Sequence, residues 1–206
     1  MESIAMDIAA SPVATLILVI TVGISLYGLY AKPQLIDKWV LRPYDLIHRK
    51  RWHTVLTSGF IHADIGHLFF NMFSFYFFAF TLEARIGSLR FLILYIFSMV
   101  LADITTILKH RDHRGYSSLG ASGAVAGVLF SFILLFPYAE LMIFLIPFPI
   151  PSPIFAILYL AYCYYAGRKA VDMINHEAHF WGALAGLILT TIMAPEALVA
   201  FFDYLI

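Results

Sequence analysis

The sequence predicts an all-α fold: a polytopic membrane bundle of six transmembrane helices, with a long interfacial loop between the first and the second. Three observations predict it. Of 206 residues, 62% are hydrophobic and only 13% are charged, whereas a soluble domain is about half apolar and a quarter charged. Apolar runs recur at roughly the 20-residue length that a helix needs to cross a hydrocarbon core. The charged residues collect between these runs. No internal repeat, low-complexity tract or linker divides the chain, so residues 1–206 read as one domain.

The runs fall at about 12–31, 66–85, 88–108, 121–138, 153–170 and 177–194. The N-terminus carries Glu2 and Asp7 and no basic residue. A secretory signal starts with positive charge, so the first run is expected to be retained as a span. Between Lys32 and Gly66, Trp39, Tyr44 and Trp52 mix with basic residues and short apolar stretches. That mixture suits short helices lying at the membrane interface. Between the fourth and fifth runs stands PFPIPSP, Pro147 to Pro153. Alternate prolines cannot continue a helix, and they predict a stiff extended turn.

Thirteen basic and thirteen acidic residues balance, which removes a global pull toward nucleic acid. The single cysteine, Cys163, cannot form an intrachain disulfide or a Cys-rich metal site, and it reads as a buried thiol. Eleven of the thirteen cations lie in the first, third and fifth loops, and only Arg85 and Arg90 lie on the other side. The positive-inside rule alone puts those three loops in the cytoplasm and the N-terminus outside.

Polar side chains inside apolar runs are costly and mark function. Three clusters stand out. His62, His67 and Asn71 lie in FIHADIGHLFFNM, where His67 and Asn71, four apart, share a helix face. Ser122 lies in Gly120-Ala121-Ser122-Gly123, and His179 precedes Gly182 and Gly186 in EAHFWGALAG. Gly123 and Gly127 are spaced by four, as are Gly182 and Gly186. Such strips let two helices approach closely. If the strips face each other, Ser122 and His179 come within reach as nucleophile and general base. Read singly, each cluster means no more than helix packing or a satisfied polar group.

Other chemistries fail on spacing. HEAH, His176 to His179, is one residue short of the zinc-protease His-Glu-x-x-His. His110 and His113 lie in a polar loop. Asp103 is the one acid well inside a run, and an aspartyl protease needs two. No metal or cofactor is expected.

The pieces HADIGHLFFN, LEARIGSLRF, GASGAVAG and AHFWGALAG resemble, in order, the rhomboid family of intramembrane serine proteases, over about residues 57–190. The resemblance implies Ser122 as nucleophile and His179 as base. It implies an oxyanion hole formed by His67, Asn71 and the backbone N–H of Ser122. It implies His62, Glu83, Arg85 and Gly87 as structural residues, with Gly120, Gly123, Gly182 and Gly186 supporting the site. Two departures stand out. The family's Trp-Arg pair is here Trp52-His53, with its register to His62 one residue longer. The aromatic that many members carry four residues after the serine is here Ala126. The family usually keeps its N-terminus in the cytoplasm, against the charge count.

The expected reaction is hydrolysis of a peptide bond in or beside a membrane-spanning segment by a Ser-His dyad. The partners expected are the lipid bilayer and single-span or other membrane-protein substrates, with Gly, Pro or other weak helix formers near the cut. Nucleic acid is not among them, and the location expected is a multi-pass protein of the cell membrane. Two rivals are an inactive relative that binds membrane helices and a small proton-linked transporter. Inactive relatives typically lack the serine or the histidine. A transporter needs polar residues along a whole pore, whereas here they cluster toward one side.

Overall fold

The computed structural model describes residues 10–142, 148–169 and 174–205. Helix α1 (Pro12–Leu26) runs directly into one π turn, Tyr27–Ala31. Proline is favoured at the first helical position, where its missing N–H costs nothing. The next two N–H groups, of Val13 and Ala14, donate to the two oxygens of the buried Glu83 carboxylate at 3.0 and 2.6 Å, and the Ser88 hydroxyl donates to the same group at 2.6 Å. A negative charge at a helix N-terminus complements its dipole. Ala14, Ile17, Thr21 and Ser25, spaced by three and four, form the buried stripe of α1.

The first loop is a folded segment. It holds α2 (Gln34–Trp39), α3 (Pro43–Arg49), α4 (Thr54–Thr57) and a 3-10 turn at Ser58–Phe60. Arg51 ties it together, pairing with Asp45 at 3.4 Å and donating to the Asp37 carbonyl at 3.4 Å.

Two long helices follow, α5 (Ile65–Ile86) and α6 (Ser88–His110), joined at Gly87. The Asp64 side chain caps α5 by accepting from the His67 N–H at 2.8 Å. Next come α7 (Ser122–Leu135), a two-stranded antiparallel ribbon of β1 (Glu140–Leu141) and β2 (Ile150–Pro151), α8 (Ser152–Lys169), α9 (His176–Met193) and α10 (Pro195–Leu205). Helix α7 is buried on every side from Gly123 to Leu134. It is apolar all round because it is the central helix, flanked by α5, α6, α8, α9 and α10.

The structure corrects the end of the fourth run and the proline-rich turn, and places the sixth helix within one residue of its expected 177–194. The fourth apolar run ends as a helix at Leu135 and not at 138. Proline 137 bars the α conformation to the residue before it, and Phe136 accordingly has φ −128° and ψ 63°. The proline-rich stretch is only partly an extended turn. Ile150–Pro151 pairs with Glu140–Leu141, but Pro153 lies in the first turn of α8, where proline is tolerated; Pro147 falls outside the described residues. The sixth run stops at Met193, before Pro195, and α10 turns away from α9 by 110°.

Helix α1 with its π turn, α5 and α6 are each long and apolar enough to cross a membrane, and α9 with α10 qualifies as one bent pair. Helix α7 is equally apolar but has only 14 residues. In α8, four tyrosines and a terminal Arg168-Lys169 dilute the apolar character. The chain is a multi-pass helical membrane protein.

Candidate active site

Ser122 is the first residue of α7, and the loop that delivers it is fixed from three sides. Leu41 and Ser118 exchange backbone hydrogen bonds at 3.1 and 2.9 Å, which ties the first loop to this one. The N–H of Gly120 donates to the Ser58 carbonyl at 2.9 Å. The third tie is His62, fully buried. Its Nδ1 lies 2.9 Å from the Ser25 hydroxyl of α1, and its Nε2 lies 3.5 Å from the N–H of Ala121. A backbone N–H can only donate, so Nε2 accepts, Nδ1 carries the proton, and the Ser25 hydroxyl passes its own to the Phe60 carbonyl at 3.1 Å. That chain requires a neutral imidazole. Burial pushes His62 down to about 3; neighbouring His67 adds to the shift and Asp64 opposes it.

Gly120 has φ +109°, a conformation open to glycine. A Cβ there would lie 2.6 Å from Cε1 and 2.7 Å from Nε2 of His67, and 3.6 Å from Nδ2 of Asn71. The His67 ring and the Asn71 amide of α5 thus converge on the backbone just before Ser122. His67 meets His62 edge to face, ring centres 4.9 Å apart. Asn71 is 7% exposed, and its Nδ2 finds no hydrogen-bond partner among the described residues. A buried donor without a partner is rare in folded proteins and points to a ligand or a transient charge. The Ser122 N–H belongs to the same end: the first N–H groups of a helix have no partner within it.

His179 comes from α9, and the glycine strips bring the two helices together. A Cβ on Gly182 would overlap the carbonyl of Gly123, and one on Gly186 would overlap the carbonyl of Gly127. A Cβ on Gly123 would stand 3.5 Å from the carbonyl oxygen of Ala178. The residue after Ser122 therefore meets the residue before His179, at the same end of the helix pair. Farther along, the Ser131 hydroxyl donates to the carbonyls of Gly127 at 2.8 Å and Gly186 at 3.2 Å, and accepts from Thr190 at 2.7 Å.

Several residues in this region escaped the sequence reading. Asn175 caps α9, its Oδ1 accepting from the Ala178 N–H at 3.0 Å, while its Nδ2 donates to Thr106 at 3.0 Å and Ser118 at 3.2 Å. An Asn directly before an apolar helix is a readable cap signal. Asp103, unexplained in the sequence, lines a cavity of about 20 Å³ with Ser118, Ser122 and Asn175. That is room for one water molecule. His176, buried beside Cys163 of α8, packs against His179 with ring centres 6.1 Å apart. An imidazole from α9 itself thus adjoins His179 in a chain whose family-typical aromatic position is Ala126. Ala126 is itself buried in the core.

The sequence model of the family described as Rhomboid domain matches residues 49–196. Among curated relatives, Rhomboid protein 1, mitochondrial, of Saccharomyces cerevisiae is 27% identical over 175 residues, 81% of this chain and 49% of that protein. RHOMBOID-like protein 12, mitochondrial, of Arabidopsis thaliana is 30% identical over 154 residues, 67% of this chain and 45% of the relative. Putative rhomboid protease YdcA of Bacillus subtilis is 32% identical over 129 residues, 61% of this chain and 64% of the relative. The chain thus spans about half the length of the first two and under two thirds of the third.

Proposed function

Because the chain belongs to the rhomboid family, we propose that it is an intramembrane serine endopeptidase that cleaves membrane-spanning segments of other proteins with a Ser122–His179 dyad. The observation that carries the reading is the backbone contact of α7 with α9, which sets the neighbours of Ser122 and His179 against each other. The unpartnered Asn71 amide beside Gly120 supports an oxyanion role for Asn71, His67 and the Ser122 N–H.

In this mechanism an imidazole nitrogen of His179 takes the Ser122 proton as Oγ bonds to the scissile carbonyl carbon. The carbonyl oxygen gains the negative charge, which the three donors receive. The amine leaves with the proton returned from the imidazolium. Water, deprotonated by the same imidazole, then hydrolyses the acyl ester and restores Ser122. Only side chains, backbone and water take part.

Helix α7 rises about 21 Å for its 14 residues, against a hydrocarbon core of about 30 Å. With its far end near one membrane face, Ser122 lies below the other. The polar groups around it, Ser118, His62, His67, Asn71 and Asn175, give water a path to that depth. In this reading α1, α5, α6, α7, α8 and α9 are the six spans, and the N-terminus faces the cytoplasm as in the family. A substrate helix must unwind before its carbonyl can be attacked, so Gly, Pro or other weak helix formers near the cut favour cleavage. A fluorophosphonate probe, together with a single-span test substrate, tests the assignment. Labelling and cleavage by the wild type, both lost in S122A, support it; a non-proteolytic binder of helices labels with neither.

A further inference from the structure

Helix α9 carries a second constellation that shares His179 with the first. One ligand atom each from Cys163 of α8 and from His176 and His179 of α9 lie within 4.8 Å of one another. We infer that these three side chains form a binding site for a thiophilic metal ion of the Zn²⁺ type, and that filling it takes His179 out of the serine chemistry. The second half rests on the proposed dyad; the metal site itself does not.

The chemistry of the donors selects the ion. Two imidazoles and one thiol suit Zn²⁺ or Cu⁺, and suit Mg²⁺ and Ca²⁺ poorly, because those require oxygen ligands. Ligand bonds of about 2.0–2.3 Å in a tetrahedron put neighbouring ligand atoms about 3.3–3.7 Å apart. The three groups need to close by about an ångström, a side-chain adjustment. The backbone already holds the two helices together: a Cβ on Gly167 of α8 would stand 3.2 Å from Cγ of Glu177 and 3.6 Å from Cβ of His176. His176 and His179, three apart, lie on one face of α9.

Burial and supporting contacts resemble a metal site more than a random cluster. Cys163 is 1% exposed and His176 4%, while His179 is half-buried. The Tyr162 ring packs edge-on against His176, centres 5.2 Å apart. Such outer contacts orient ligands. Binding releases one proton as the Cys163 thiol becomes a thiolate, and each imidazole spends a nitrogen lone pair on the metal. The nitrogen of His179 that would accept the Ser122 proton, or the ring orientation that aims it, is then committed to the ion. Inhibition follows, reversed by a chelator.

HEAH, with two histidines three apart, lacks the spacing of the zinc-protease pair. The third ligand comes from another helix, which no local spacing reveals.

The test uses the full chain in detergent, stripped with EDTA and dialysed. Co²⁺ titration should saturate at one equivalent, with a thiolate-to-cobalt charge-transfer absorption that Zn²⁺ displaces. Cys163→Ala should abolish that band and weaken binding by more than the roughly 100-fold that loss of an outer contact costs. S122A should bind as the wild type does, so the site is judged even if no cleavage is ever seen. Cys163 is the only cysteine in the chain, so slow alkylation by a maleimide in unmutated protein reports how often this buried thiol opens to the reagent. Saturating Zn²⁺ should slow that alkylation at least tenfold. For inhibition, each protein is compared with itself, with and without Zn²⁺. Wild-type cleavage should fall at least tenfold and return with EDTA, whereas C163A and H176A should change little. Absence of the charge-transfer band, or unchanged alkylation under Zn²⁺, overturns the site. Equal zinc sensitivity of C163A and wild type overturns the link to His179.

Discussion

Helix α9 has two working faces, and they are built on opposite principles. Toward α7 it presents Gly182 and Gly186, and the contact is backbone on backbone. Toward α8 it presents His176 and Glu177, which meet Cys163, Tyr162 and Gly167 through side chains. A backbone contact cannot be adjusted by changing a rotamer, so it fixes the distance between the Ser122 and His179 ends of the two helices. A side-chain contact can reshape by tenths of an ångström at small cost. Precision is needed on the side proposed to break peptide bonds, and not on the side proposed to take up an ion.

On the serine side of the site, Asn71 separates a catalytic frame from a merely structural one. Asn71→Ala should slow cleavage of a single-span substrate by about 10²–10³-fold, the usual worth of one oxyanion donor. Its thermal midpoint should hardly move, because the amide Nδ2 makes no hydrogen bond among the described residues. A lower midpoint with an unchanged rate would move Asn71 to a packing role.

A matched pair of glycine substitutions sharpens the contrast between the two faces. Gly186→Val drives a side chain into the Gly127 carbonyl, and the only relief is to push α9 away from α7. Misplacing reacting groups by about 1 Å costs roughly 10²-fold in rate, so both the rate and the midpoint should fall. Gly167→Ala on the α8 side meets Cγ of the Glu177 side chain at 3.2 Å, with the Glu177 backbone N and His176 Cβ at 3.6 Å, ordinary contact distance. There the gain in helix propensity of about 0.5–1 kcal/mol offsets the crowding, and rate and midpoint should stay close to wild type. Equal damage from the two would erase the distinction.

Smaller effects come from the parts that hold the frame. Asn175→Ala removes the cap of α9 and its links to Thr106 and Ser118, and should cost about 1 kcal/mol of stability, read as a lower midpoint. The smallest effect concerns pH. The folded protein holds His62 down at about 3 from an ordinary 6.5, so between those values the unfolded chain binds more protons. The stabilisation is complete above pH 6.5 and is lost as the pH falls toward 3. Between pH 7 and 5 the midpoint of the wild type should drop more than that of His62→Gln, which has no proton to gain.

How much of this could be read from the residues follows from what each feature depends on. Spans at 12–31, 66–85 and 88–108 match α1 with its π turn, α5 and α6 closely, because length and hydropathy are local properties. The facing of Gly123-x₃-Gly127 and Gly182-x₃-Gly186 was also legible, since small residues at that spacing have few uses other than close approach. The helix end before Pro137 was written in the sequence too, but the apolar run to 138 passes through it, whereas the run to 194 stops before Pro195. The role of Asn175 as a cap is legible as an Asn directly before an apolar helix. What could not be read was everything that joins distant segments through a single contact. The Leu41–Ser118 bridge, Ser25 against His62, and Cys163 against His176 and His179 depend on how helices rotate about their axes, which one sequence does not encode locally.

Whether Ser122 and His179 act as one unit at the α7–α9 contact, as proposed, is decided by probe labelling. Wild type, S122A, H179A and the double variant, at matched amounts, are treated with a fluorophosphonate and assayed on a single-span substrate. Each single substitution should reduce cleavage by on the order of 10⁶-fold, and the double should be no slower than either, because the second loss removes nothing further. H179A should also fail to label, since its serine has lost the base that activates it. Full labelling of Ser122 in H179A would contradict the account and leave the glycine contact with packing as its only role.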